Sequence, residues 1–319
     1  MIPNRSILDQ WHISEAVAPA VDGGLINDTF IVGSPPSAVL QRVNPIFGPD
    51  VHFDIEAITS HLSSQGVSTP LLIRTQSGKL CVPTDSGAWR LLSYLPGTTI
   101  HSISSLQQAA SAATLVGKFH RATQDLEHTF RFVRPGAHDT LKHMATLETA
   151  LAQASGDAME APATKIAEET LERWSQWSGS LELPPRISHG DLKISNLRFD
   201  DSRLNATALL DLDTLSHQSI DVEMGDAWRS WCNPAGEDHP DQAVFDIEIF
   251  KASAQAWLSH GPHLSIEERE NLAGGIERIC LELTARFCAD AINRSYFKED
   301  RTRFPTPGSH NIHRAQGQL

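Results

Sequence analysis

The chain has 319 residues, 40% hydrophobic and 20% charged, with a formal net charge of −13, which fits a soluble globular protein with two substantial cores. That acidity argues against broad binding of nucleic acid, which needs a basic surface, but leaves room for a nucleotide held by a local cation and a metal. No apolar run suits a signal peptide or a membrane span, so no membrane partner is expected. The four cysteines, Cys81, Cys232, Cys280 and Cys288, form no C-x-x-C pair and suggest reduced thiols in the cytoplasm.

The first ninety-odd residues read mainly as strands. "TFIVG" and "AVLQRV" are β-branched and apolar, and the turn-like "SPPS" separates them. Val51, Ile55, Ile58 and Leu62 fall at helical spacing and predict one amphipathic helix. "LLIRTQSGKLCVP" reads as a hairpin around Ser77-Gly78, and "AWRLLSYLPG" as a strand ending at Pro96-Gly97. After Gly97, Ser104 and Ser105 are candidate caps for a helix carrying Leu106, Ala109, Ala113, Val116 and Phe119. A further helical stretch runs from about Thr140 to Trp177, stopped by Pro184-Pro185. Short strands follow near "NLRFD" and "ATALLDLD". Helix resumes from Asp241 to about Tyr296, and a polar tail rich in Arg and His completes the chain. The expected fold class is α+β and two-lobed, like a protein kinase. A small β-rich lobe, 1–95, would bind nucleotide, and a larger helical lobe, 96–319, would carry catalysis and the acceptor, with the nucleotide in the cleft between.

The chemistry concentrates in "SHGDLKISNLRFD" and "ALLDLDTL". Phosphoryl transfer needs a carboxylate to orient and deprotonate the attacking hydroxyl, and hard oxygen ligands to hold Mg2+ on the phosphates. Asp191 is read as the base, Asn196 and Asp211 as the metal ligands, and Lys193 as a cation near the transferred phosphate. The Asp-to-Asn spacing is that of the protein-kinase catalytic loop. Gly190 stands where that loop has Arg, which favours a small-molecule kinase. Asp213 shares a strand face with Asp211 and is either a second ligand or a support.

In the small lobe, Gly23 and Gly24 would let backbone N–H groups approach phosphate, with Asn27 and Thr29 adding hydrogen bonds; an ordinary hairpin has the same signature. No G-x-x-x-x-G-K-[ST] occurs, which disfavours a P-loop kinase. Arg42 stands where a phosphate-binding Lys is expected, and Glu56 on the following helix is its candidate partner. A plain surface Arg is the other reading of that position.

These segments resemble the aminoglycoside-phosphotransferase and choline-kinase superfamily. "HGDLKISN" and "LLDLDT" match its catalytic and metal segments, "LLSYLPG" its connector and "LVGKFHRAT" the helix after it. A narrower resemblance is to the N-acetylhexosamine 1-kinases, carried by "GGLINDTFIV" with "VLQRVN", the "DLDT" ending, "DVEMGDAWR" and the tail "RFCADAINRSYFK…HNIHRAQGQL". That resemblance implies ATP, Mg2+ and phosphorylation of a sugar at its anomeric hydroxyl. The loop itself reads His-Gly-Asp, as in the wider superfamily. Asp221, Asp226 and Arg229 either fix the catalytic loop, touch the acceptor, or form a buried pair at a helix start. Tyr296 and the His310–Arg314 segment, Arg314 included, are candidates for the acceptor wall. An aminoglycoside, choline or another amino alcohol is the competing acceptor, and a nucleotide-binding pseudokinase the competing class.

Overall fold

Strand propensity and turn chemistry build the first lobe. In the computed structural model, which describes residues 3–20, 26–154, 160–236, 239–294, 297, 299–300 and 302–319, α1 (Arg5–Leu8) and β1 (Val17–Pro19) precede β2 (Asp28–Val32) and β3 (Ala38–Val43). Then come α2 (Val51–Ser64), β4 (Leu72–Ile73) and β5 (Ala88–Ser93). The five strands form an antiparallel sheet in the order β1-β2-β3-β5-β4. Alternation gives the sheet two different faces. Phe30, Val32, Ala38, Leu40, Trp89 and Leu91 bury one face with Ile7 and Ile13. Thr29, Gln41 and Arg90 stand on the other. Ser77-Gly78 does sit in a tight turn, closed by Gly78 N to Thr75 O at 2.9 Å. Its flanks pair once, Thr75 N to Lys79 O at 2.9 Å, and do not continue as the expected hairpin. Leu72 and Ile73 add to β5 instead, and Val82 bridges Trp89.

β6 (Thr98–Thr99) opens the larger lobe and α3 (Leu106–Thr123) follows, with Ser105 capping the Gln108 amide at 3.2 Å. Next are α4 (Thr140–Gln153) and α5 (Ala161–Gln176), where one helical stretch was expected, then β7 (Pro185–Ser188). β8 (Leu197–Phe199) and β9 (Ala206–Leu209) pair antiparallel, and β8 also takes β6. β10 (Ser216–Ser219) pairs with β7. α6 (Ile220–Trp231), α7 (Ile247–His260), α8 (Ile266–Asn293) and α9 (Ser309–Gln318) complete the chain. Residues 309–318 of the polar tail are therefore helical.

The main core gathers α3, α6, α7 and the β8–β9 hairpin, and also the apolar stripe Val51, Ile55, Ile58 and Leu62 of α2. Asp54 on α2 accepts from the Arg131 and Phe132 amides, both at 3.0 Å, and from His128 Nε2 at 2.9 Å. α2 is thus fastened to the larger lobe, although it follows strands of the smaller. α6 and α8 approach until an added Cβ at Gly275 would lie 2.2 Å from the Asp221 carbonyl oxygen, so only glycine fits that crossing.

Candidate active site

The β7–β10 pair brackets a loop whose backbone is held from three sides. Glu223, buried on α6, accepts from the His189 amide at 2.7 Å and the Gly190 amide at 2.9 Å. His120 Nε2 donates to the same carboxylate at 3.2 Å, while His120 Nδ1 accepts from Trp257 Nε1 at 3.0 Å. Burial alone would raise the Glu223 carboxyl, but the His120 bond and the loop amide hold it below the usual glutamate value. Trp231 Nε1 donates to Leu192 O at 2.7 Å, and Thr214 Oγ1 to His189 O at 2.8 Å. Gly190 has φ +76°, and a Cβ there would lie 2.5 Å from the Thr214 carbonyl oxygen, so glycine is required where the protein-kinase loop carries Arg.

This frame presents Asp191. Its Oδ2 accepts from Lys193 Nζ at 2.8 Å and from Asn196 Nδ2 at 3.0 Å, leaving Oδ1 without a protein partner among the described residues. Burial would raise the Asp191 carboxyl, yet the Lys193 charge and hydrogen bond outweigh it and the carboxyl lies below its ordinary value. Lys193 is correspondingly raised: burial opposes this, but Asp191, then Asp211 and Asp226, favour the ammonium. Asn196 Nδ2 also donates to the Asp191 carbonyl at 2.8 Å, which turns Asn196 Oδ1 away from that carboxylate.

Asp211 and Asp213 divide sharply. Asp211 sits in the left-handed region, φ 57°, and no protein group bonds its carboxylate among the described residues. Its carboxyl is pushed up to about 6, first by desolvation, then by the charges of Asp213 and Asp191. Asp211 is nevertheless exposed to solvent. Asp213, only 2% exposed, has both oxygens engaged. Arg90 grips it in a two-pronged pair, and Asn27 Nδ2 donates to Oδ2 at 2.7 Å. Among the described residues Asn196 Oδ1 and Asp211, like Asp191 Oδ1, are therefore hard oxygens with free valence, and oxygen donors of this kind suit Mg2+. Among the described residues no cluster of three His, Cys, Asp or Glu side chains could hold a metal by itself.

Residues 17–261 match the phosphotransferase enzyme family. The chain belongs to it. The phosphotransferase fold is similar to that of a microcompartment-associated aminopropanol kinase, with TM-score 0.66, 15% identity and coverage of 98% of this chain and 93% of that one. An amicoumacin kinase in complex with AMP-PNP and Ca2+ gives 0.64, 13%, 97% and 91%. An aminoglycoside phosphotransferase from Alicyclobacillus acidocaldarius gives 0.65, 13%, 100% and 93%.

Within this phosphotransferase, one expected pairing fails. Arg42 does not meet Glu56. It pairs with Asp28, its direct cross-strand partner, because alternation puts Arg42 on the Leu40 face, away from the cleft. Glu56 pairs instead with Arg74 at 2.6 Å. Asn27 and Thr29 lie on the cleft side, but with protein partners: Asn27 holds Asp213 and the Asn44 amide, and Thr29 Oγ1 accepts from Gln41 at 3.1 Å. Arg229 is held by Asp226 at 3.0 Å and by Gln318 on α9 at 3.2 Å. Arg314 lies over the Phe287 ring at 5.9 Å. Gly23, Gly24 and Tyr296 lie outside the described residues. Sequence reading missed Arg90 and Glu223. Arg90 needed the strand register to be seen, and Glu223 lies inside the "DVEMGDAWR" segment whose other charges drew attention. No helix among the described residues is long and apolar enough to cross a membrane.

Proposed function

We propose that the chain transfers the γ-phosphate of ATP to a hydroxyl of a small molecule, chiefly the anomeric hydroxyl of an N-acetylhexosamine or related sugar. The observation carrying the kinase reading is the combination of a free Asp191 Oδ1, a free Asn196 Oδ1 and an unpartnered Asp211 around one loop. Asp191 Oδ1 would accept the hydrogen of the attacking hydroxyl. With its pKa depressed, Asp191 is a weak base that mainly orients the hydroxyl and takes the proton late, which suits a loose transition state. Lys193 holds Asp191 in place and carries positive charge towards the transferred group. Asn196 and Asp211 would hold Mg2+, which when bound neutralises charge on the phosphates.

Support for a sugar comes from the resemblance of the "GDAWR" and tail segments. A second reading, an amino-alcohol acceptor, is favoured by the carboxylates of Asp191, Asp211 and Asp226, whose charges all act on the Lys193 ammonium. The aminopropanol kinase of similar fold points the same way. ATP consumption across sugars, aminoglycosides and amino alcohols separates the two, and phosphorus NMR identifies a 1-phosphate by its coupling to the anomeric proton. The sugar reading expects that product, and at least ~10⁴-fold loss when the anomeric oxygen is methylated. A 6-phosphate, or turnover of amines alone, refutes it. Nucleotide binding without turnover on the whole panel would favour the pseudokinase.

A further inference from the structure

Arg42 of β3 points to the far face and pairs with Asp28, so it does not meet Asp213. The residue of β3 that does face the cleft is Gln41, and its direct partner across the strand pair is Arg90 of β5. Arg90 is 2% exposed. Its Nε and Nη2 donate to Gln41 Oε1 at 3.0 and 2.8 Å, and Gln41 Nε2 in turn donates to Thr29. With the guanidinium plane set from behind, its other edge engages both oxygens of Asp213. A bidentate pair of this kind fixes direction as well as distance.

Asp213 belongs to the turn that carries Asp211. Hydrogen bonds tie that turn on two sides. Leu210 N to Asn196 O at 2.8 Å, His189 Nε2 to Leu210 O at 2.7 Å and Thr214 Oγ1 to His189 O at 2.8 Å join it to the catalytic loop. Asp213, held by Arg90 and Asn27, joins it to the small lobe, and the Asp211 carboxylate has no hydrogen bond of its own among the described residues. We infer that Arg90 is a positioning residue for the metal-binding carboxylate: by clamping Asp213 from the small lobe it sets the turn on which Asp211 stands. Arg90 is too enclosed to meet a phosphate directly, so it acts through Asp213. This rests on the reading of Asp211 as a metal ligand. It gives the fold a cation reached from β5 where the sequence led one to look on β3.

The test is calorimetric titration of the whole chain with ATP, in EDTA and at a series of Mg2+ concentrations. Arg90→Met leaves a buried, uncompensated carboxylate, and its folding is at risk. The decisive protein is therefore the double variant Arg90→Met with Asp213→Leu, which removes both charges together; Arg90→Lys keeps the charge but loses the two-pronged grip. The double variant is expected to keep metal-free ATP affinity within about threefold, to lose the enhancement by Mg2+ by ~10-fold or more, and to exchange amide hydrogens faster at residues 211–215 in the metal-free state. Arg90→Lys should fall between it and the parent. Asp211→Ala is run beside them. If Asp211→Ala loses the enhancement while the double variant keeps it, or if exchange at 211–215 is unchanged, the role of Arg90 is overturned and the kinase reading stands. If Asp211→Ala keeps the enhancement, the metal reading falls, and this inference with it.

Discussion

Replacing Glu223 by Gln tests whether the catalytic loop is held from α6. The carboxylate accepts two loop amides, at 2.7 and 2.9 Å, and one His120 N–H at 3.2 Å, with no solvent to take its place. Glutamine offers one accepting oxygen, and its NH2 would face a donor. One charge-assisted bond is lost, at about 1.5–3 kcal/mol, and a buried donor is left unpaired, at about 1–3 kcal/mol. Together these come to roughly 2.5–6 kcal/mol, a large share of the stability of an ordinary domain. Urea unfolding at neutral pH reads this directly. The His189 and Gly190 amides immediately precede Asp191, so the folded fraction should also turn over more slowly. A displacement of ~1 Å corresponds to a loss of ~10²-fold in kcat. A variant within about 1 kcal/mol of the parent and with undiminished kcat would refute the reasoning, because the loop would then hold its shape without Glu223.

Asp191→Asn should keep the fold and nucleotide affinity and lower kcat by ~10²-fold or more; turnover near the parent rate would remove Asp191 as the base. Asp211→Asn should raise the melting temperature in EDTA at pH 8, with the gain fading as pH falls through about 6 and gone below the ordinary aspartate value. The raised carboxyl means that the folded chain binds a proton the unfolded chain lacks across that interval, so the penalty exists only where Asp211 is ionised. A gain independent of pH would contradict this. Gly275→Ala should cost about 1–3 kcal/mol or more in urea unfolding, because its Cβ has no room against the Asp221 carbonyl; a neutral change would mean α6 and α8 can part freely.

The catalytic loop was legible because its side chains are neighbours in sequence: Asp191, Lys193 and Asn196 meet as their spacing implies. The α2 stripe and the Ser105 cap were legible for the same local reason. Arg90 was not, since its meaning depends on standing opposite Gln41 and reaching Asp213, 123 residues away in the chain. Arg42 misled because a basic residue on a strand carries no mark of which face it takes until the register is known. β7 and β10 were hidden by weak strand composition: "PRIS" and "SHQS" pair because the loop between β7 and β8 has to be closed off, with little help from propensity. α9 reads as polar tail, but His310, Asn311 and Ala315 bury against the rest of the lobe and supply the packing that its composition does not advertise.

The placement of α2 bears on how the molecule comes apart. Its apolar stripe belongs to the core of the larger lobe, while the sheet around it closes its own back face with α1. A fragment ending near residue 95 would carry Val51, Ile55, Ile58 and Leu62 with nothing to cover them, and would aggregate where an independent unit would fold. The two lobes should accordingly melt in one calorimetric transition. Any rocking of the sheet over the cleft has to pivot on the segments joining it to α2, leaving α2 behind with the helices.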